Sequence, residues 1–441
     1  MVKDNKKLKS KHIVIGIFVI GIVLRFIAYL LADPSVNQHD VLLRYGHFDY
    51  AVYMFKYWRL APTWNYEFAQ PPINAIMQAI VMSIIDFFKY HGDDYLSLYT
   101  HTKILSLIYS VLTFYVVYKI LYEFDISDKI KNVILFIFAI YPQNIIMTTQ
   151  YSNDGISYLF FYLSIFICIR WIKNKKLSTI VLLALTIGIG MLTKISVGLV
   201  AFLIGPMMLA VLISNIISEK DISTKNLILQ YVVFALIVFP IGLSYSVRNL
   251  VLFGVRFGEI YEIAVGTDLD MRKYSYTFVD RFLSFPLNRV FNSEYGIYHD
   301  MAEYNVWIDF LKTATFDEYN YGKTIAYPLL VILYIVNIIF HMFGLFTIVY
   351  NLISSLKYIL NKFISKVKNF DLSISYCHLE NLRIISVILY IIAICSYVGF
   401  NYKYQYSCNS NYRYIQYITF AVATSIVLFI SDKNKNLIKN D

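Results

Sequence analysis

The sequence predicts an all-α, polytopic membrane protein of about ten transmembrane helices. Three observations carry that expectation. Of 441 residues, 58% are hydrophobic and only 15% charged, with a mean hydropathy of +0.56. A soluble domain cannot hide that much apolar surface. The apolar residues fall in runs of about 20, the length that crosses a hydrocarbon core. Lysines gather in alternate connections between those runs, as the positive-inside rule expects. The formal net charge of +10 therefore speaks for membrane topology rather than for a nucleic-acid partner.

Taken in order, spanning runs fall at roughly 13–32, 102–121, 131–148, 155–171, 178–193, 197–215, 227–246, 327–350, 384–400 and 415–431. The first follows a basic N-terminal stretch and lacks a small-residue cleavage site, so it reads as a membrane helix rather than a cleaved signal. An even number of spans puts both termini in the cytoplasm. The segments 33–101 and 247–326 then become the first and the large outer loops of a single membrane domain, 1–441. Ile73 to Phe88 is apolar, but Pro71-Pro72 opens it and it carries Asn74, Gln78 and Asp86. Were it to span, the later basic loops would move outside, so it is placed as an interfacial helix on the outer surface. Tyr45 to Leu60 reads as a second such helix, with aromatic residues at helical spacing. The 40 tyrosines suit interfaces, where an apolar ring and a wet hydroxyl are both useful. The four cysteines are scattered, two of them inside apolar runs, which argues against a disulfide frame or a metal cluster.

Two acidic positions stand at membrane mouths on the same side. Asp40 follows the first run, and Asp154 opens a later one. A carboxylate is costly to desolvate there, so the pair suggests one site where membrane meets water. Asp40 reads as a general base or metal ligand, or as an N-cap for the helix after it. Asp154 reads as a second site acid, or as an acid placed by the helix dipole. Lys194 lies in a tight outer turn, against the charge rule; an anionic partner such as a lipid phosphate explains it, as does snorkelling. Arg413, before the last run, carries a fork suited to a phosphate or to anchoring at the interface. Arg25, near the outer end of the first run, is a further cation that suits an acid, a phosphate or the headgroups. His39 and His47 flank Asp40 without the repeat spacing of a metalloprotease helix. Phosphate-cradling glycine loops and a nucleophile-elbow serine are both lacking from the sequence.

The ordered series resembles the C-type glycosyltransferase superfamily, above all its protein O-mannosyltransferases and lipid A aminoarabinose transferases. It runs His39-Asp40, Gly46-His47, Gln70-Pro71-Pro72-Ile73, Asn153-Asp154, Leu192-Thr193-Lys194 and Arg413-Tyr414. The resemblance implies a polyprenyl-phosphate sugar as donor and inverting transfer on the outer face of the cell membrane. By it, Asp40 and Asp154 are the catalytic acids and Lys194 and Arg413 donor-phosphate contacts, to which Arg25 adds a candidate. His39, His47, Gln70 and Asn153 would support them. The chain departs from the O-mannosyltransferases in placing Val41 where they have a second acid, and in having Gln70 before the prolines. The acceptor (a protein, a glycolipid or a wall polymer) and any divalent cation stay open. A transporter or flippase of lipid-linked sugars, or a polysaccharide polymerase, are the alternatives; the first would place ionisable groups in mid-membrane.

Overall fold

The computed structural model describes residues 2–32, 40–89, 95–218, 222–291, 303–317, 327–369 and 379–439. Among these the protein is all-α. Its sixteen helices are α1 (Val2–Leu31), α2 (His47–Tyr57), α3 (Ile73–Phe88), α4 (Tyr95–Thr102), α5 (Ile104–Tyr122), α6 (Asp128–Ile140), α7 (Pro142–Ile146), α8 (Asp154–Asn174), α9 (Leu177–Met191), α10 (Ala201–Ser218), α11 (Thr224–Phe253), α12 (Leu287–Phe291), α13 (Val306–Phe316), α14 (Tyr327–Asn369), α15 (Leu379–Lys403) and α16 (Ile418–Lys439). Its β pairing among the described residues is a single bridge, Asp270 to Tyr406.

Among the described residues, seven stretches are long and apolar enough to cross a membrane: Ser10–Leu31, Tyr95–Tyr122, Asp154–Asn174, Ile195–Ile216, Thr224–Phe253, Tyr327–Asn361 and Leu379–Lys403. The expected count of about ten differs for physical reasons. The run at 178–193 folds as α9, which has only 15 residues. The last run folds as α16, whose buried length passes into the charged end beginning at Asp432. The run at 131–148 is broken, because α6 ends at Tyr141 and Pro142 starts α7.

That break explains Arg25. Proline has no N–H to give the carbonyl four residues back, so the end of α6 needs other donors. Asn144 Nδ2 donates to the Phe138 carbonyl at 2.9 Å, and Arg25 Nη1 donates to that of Ala139 at 2.9 Å. Arg25 also reaches the Gly21 carbonyl at 3.0 Å and Ser110 Oγ at 3.0 Å, and it is fully buried. It is thus a helix-end donor inside the bundle, placed among these carbonyls and away from the cavity described below.

Between the first two spanning stretches lie the helices expected there, α2 and α3, packed on each other. The N–H of Ile73, freed at the start of α3, donates to the Leu192 carbonyl at 3.2 Å. The Pro71-Pro72 opening thereby docks α3 onto the turn that carries Lys194. Residues 258–269 fold back over the bundle and are strapped to 404–407. Met271 N donates to the Gln405 carbonyl at 2.9 Å and Ser407 N to that of Leu269 at 3.0 Å.

Candidate active site

Gly46 shapes the first part of the site. The chain after Asp40 turns back so that His47 N donates to the Asp40 carbonyl at 3.0 Å and Phe48 N to that of Val41 at 3.1 Å. A Cβ at position 46 would lie 2.5 Å from the Asp40 carbonyl oxygen, 2.8 Å from that of Leu43 and 2.9 Å from that of Val41. Only glycine fits so close an approach. The Gly46-His47 pair is therefore a device that folds α2 onto Asp40 and aims the imidazole at its carboxylate.

His47 Nε2 lies 3.7 Å from Asp40 Oδ2 and 3.3 Å from Glu67 Oε2. Glu67 arrives on the short turn Tyr66–Ala69, whose backbone is tied to α2 by Glu67 N donating to the Tyr45 carbonyl at 3.1 Å. Asp40 Oδ2 also faces Arg413 Nη2 at 3.7 Å, while Asp40 Oδ1 is buried and accepts no hydrogen bond among the described residues. Asp154, in the first turn of α8, is ion-paired with Lys194 and accepts from Ser152 Oγ at 3.2 Å. Asn153 Nδ2 donates to Gln70 Oε1 at 3.5 Å. The Lys194 ammonium and the Arg413 guanidinium lie over the Tyr414 ring at 4.8 and 5.3 Å.

Of the residues singled out in the sequence, Asp40, His47, Gln70, Asn153, Asp154, Lys194 and Arg413 all line one cavity of about 850 Å³. Arg25 does not, and His39 lies outside the described residues. Glu67 lines the cavity too and was missed. Its signal is faint: a lone acid in the aromatic stretch Tyr66-Glu67-Phe68, three residues before Gln70-Pro71-Pro72. The rest of the wall is apolar, with Ile195 and Leu199 from the turn that precedes α10, Phe202 from the start of α10, Ile260 and Ile263 from the segment strapped to 404–407, and Phe400 from α15. Phe202 and Ile263 are exposed, so this wall continues onto the protein surface.

Charge holds the polar end together. Burial works against the Asp40 carboxylate, but His47 and Arg413 outweigh it and keep the group well below the usual carboxylate range. Burial likewise works against the His47 imidazolium, and Glu67 and Asp40 outweigh it, so its pKa is raised. Glu67 is pushed up by burial and by Asp40, with His47 opposing. The donor atoms of Asp40, His47 and Glu67 lie within 4.8 Å of one another. This is where the divalent cation left open by the sequence would sit, though the pairing of opposite charges produces the same spacing.

A raised pKa on His47 means that its contribution to stability is complete below its ordinary value of 6.5 and is lost as pH rises through the folded value. The thermal midpoint of the wild type is thus expected to exceed that of His47→Gln at about pH 6, with the gap narrowing as pH is raised into the alkaline range. Midpoints that stay equally far apart across that range would sink the assignment.

Residues 69–244 match the family described as dolichyl-phosphate-mannose-protein mannosyltransferase. The match takes in Gln70, the proline pair, Asn153, Asp154 and Lys194, and covers less than half of the chain. No curated protein sequence matches it. The matched segment therefore supplies one flank of the cavity, while Asp40, His47, Glu67 and Arg413 come from outside it.

Proposed function

We propose that the protein transfers a sugar from a polyprenyl-phosphate donor to a hydroxyl acceptor on the outer face of the cell membrane, with inversion at the anomeric carbon. The observation that carries this reading is the convergence of two acids, Asp40 and Asp154, in one cavity, each facing a cation, Arg413 and Lys194. The acceptor hydroxyl attacks the anomeric carbon, and the bond from that carbon to the phosphate oxygen breaks with its electron pair on the phosphate. Lys194 and Arg413 stand where that charge develops. Asp40 takes the hydroxyl proton on Oδ1, the oxygen without a hydrogen bond. A carboxylate held this acidic is a weak base, so the proton moves late, as the new bond forms. Asp154 holds Lys194 in place. The apolar wall between α10 and α15 suits the polyprenyl chain, and the strapped loop 258–269 limits water and so hydrolysis of the donor.

The test uses purified full-length protein, a panel of undecaprenyl-phosphate sugars and candidate acceptors from the cell envelope. Release of undecaprenyl phosphate is followed, and the anomeric configuration of the product is read by NMR. Acceptor-dependent release with inversion is expected. Retention of configuration would sink the single-displacement mechanism; no release from any donor would sink the transfer itself.

A further inference from the structure

Arg413 owes its orientation to groups behind the cavity wall. Gln150 and Asn411 carry side-chain amides, each with a donor end and an acceptor end. Both turn their donor ends to Asp317, which is fully buried: Asn411 Nδ2 donates to Oδ1 at 2.7 Å, and Gln150 Nε2 donates to Oδ2. Their acceptor ends then face Arg413. Asn411 Oδ1 accepts from the Arg413 backbone N–H at 2.8 Å, and Gln150 Oε1 accepts from Arg413 Nη1 at 3.4 Å. An ionised carboxylate only accepts. It therefore forbids the rotated forms, which would set the NH2 of Gln150 against the guanidinium and that of Asn411 against the Arg413 backbone N–H.

The backbone adds a second observation. Asp317 ends α13 at φ 52 and ψ −134, a region that L side chains avoid and glycine adopts freely. A residue kept there against its backbone preference is retained for its side chain.

We propose that Asp317 is a positioning residue of the donor-phosphate clamp, fixing the polarity of the Gln150 and Asn411 amides so that both present oxygen to Arg413. Its functional meaning rests on the reading of Arg413 as a donor-phosphate contact; the ordering of Arg413 does not. Since α13 lies within the segment 247–326, the network also ties that segment to the cation that faces Asp40.

Asp317→Gly tests this, because it removes the carboxylate while relieving the backbone. Asp317→Asn, which keeps the size, serves if the glycine variant fails to fold. Two readouts are taken on the full chain in detergent: hydrogen exchange of the segment 411–415, and affinity for undecaprenyl phosphate in wild type, Asp317→Gly, Arg413→Ala and the double variant. Exchange of the Arg413 amide should quicken at least about tenfold. Affinity should fall at least about tenfold, with no further loss when the change is added to Arg413→Ala. Wild-type exchange in the variant, or losses that add to those of Arg413→Ala, would overturn the proposal. Faster exchange in a variant whose wild type binds no undecaprenyl phosphate would uphold the positioning and reject the donor reading instead.

Discussion

Asp40→Asn is expected to lower turnover of the lipid-linked donor by two or more orders of magnitude, at least about 2.7 kcal/mol of transition-state stabilisation. Proton transfer to a positioned side chain contributes about 10²–10⁴-fold, and asparagine keeps the shape of the group while losing its basicity. The split between rate and affinity identifies the cause. In the wild type the Asp40 carboxylate faces both His47 and Arg413. Removing its charge leaves more uncompensated positive charge beside the phosphate, so KM for the donor should hold steady or fall while kcat drops. Steady-state kinetics with a single donor decide this. A variant as active as wild type would remove Asp40 from the chemistry and leave Asp154 as the candidate, whereas a raised KM with unchanged kcat would make Asp40 a binding group.

Lys194→Met is expected to damage folding and function together, and a double variant separates the two. The Asp154 side chain is 5% exposed and that of Lys194 16%. Removing one partner of so buried a pair strands the other charge, at about 3–5 kcal/mol. The single variant should therefore melt markedly earlier than wild type. Adding Asp154→Asn removes the stranded charge and should restore most of the lost stability, because a neutral amide costs far less to bury than a carboxylate. Turnover should not return, since the departing phosphate still lacks its cation. Recovery of turnover along with the thermal midpoint would reduce the pair to a packing role.

The sequence made some parts of this molecule plain and hid others, for reasons that differ by residue. Helical class and the existence of α2 and α3 were legible because burial in lipid demands long apolar runs, and proline pairs mark helix starts. Asp40, Asp154, Lys194 and Arg413 were legible because each breaks a rule of membrane composition: an acid at a helix mouth, or a cation on the wrong side. Arg25 breaks a rule as well, yet its partner is the Ala139 carbonyl, left open on another helix where α6 stops before Pro142, which no local pattern reveals. Glu67 obeys the rules for a polar loop, so nothing in its neighbourhood marks it; only the turn that brings it to His47 does. Gln150 and Asn411 are neutral amides of ordinary type, and their orientation exists only in three dimensions.

The broken helix between α6 and α7 has an evolutionary corollary. Pro142 creates the need for donors that Arg25 and Asn144 meet, so selection acts on the three positions as one unit. Among relatives of this chain, those with another residue at position 142 would close the ladder themselves and release positions 25 and 144 to drift. An arginine held at position 25 across many sequences would then record the geometry of a kink, and constancy there would be a misleading guide to where the sugar is bound.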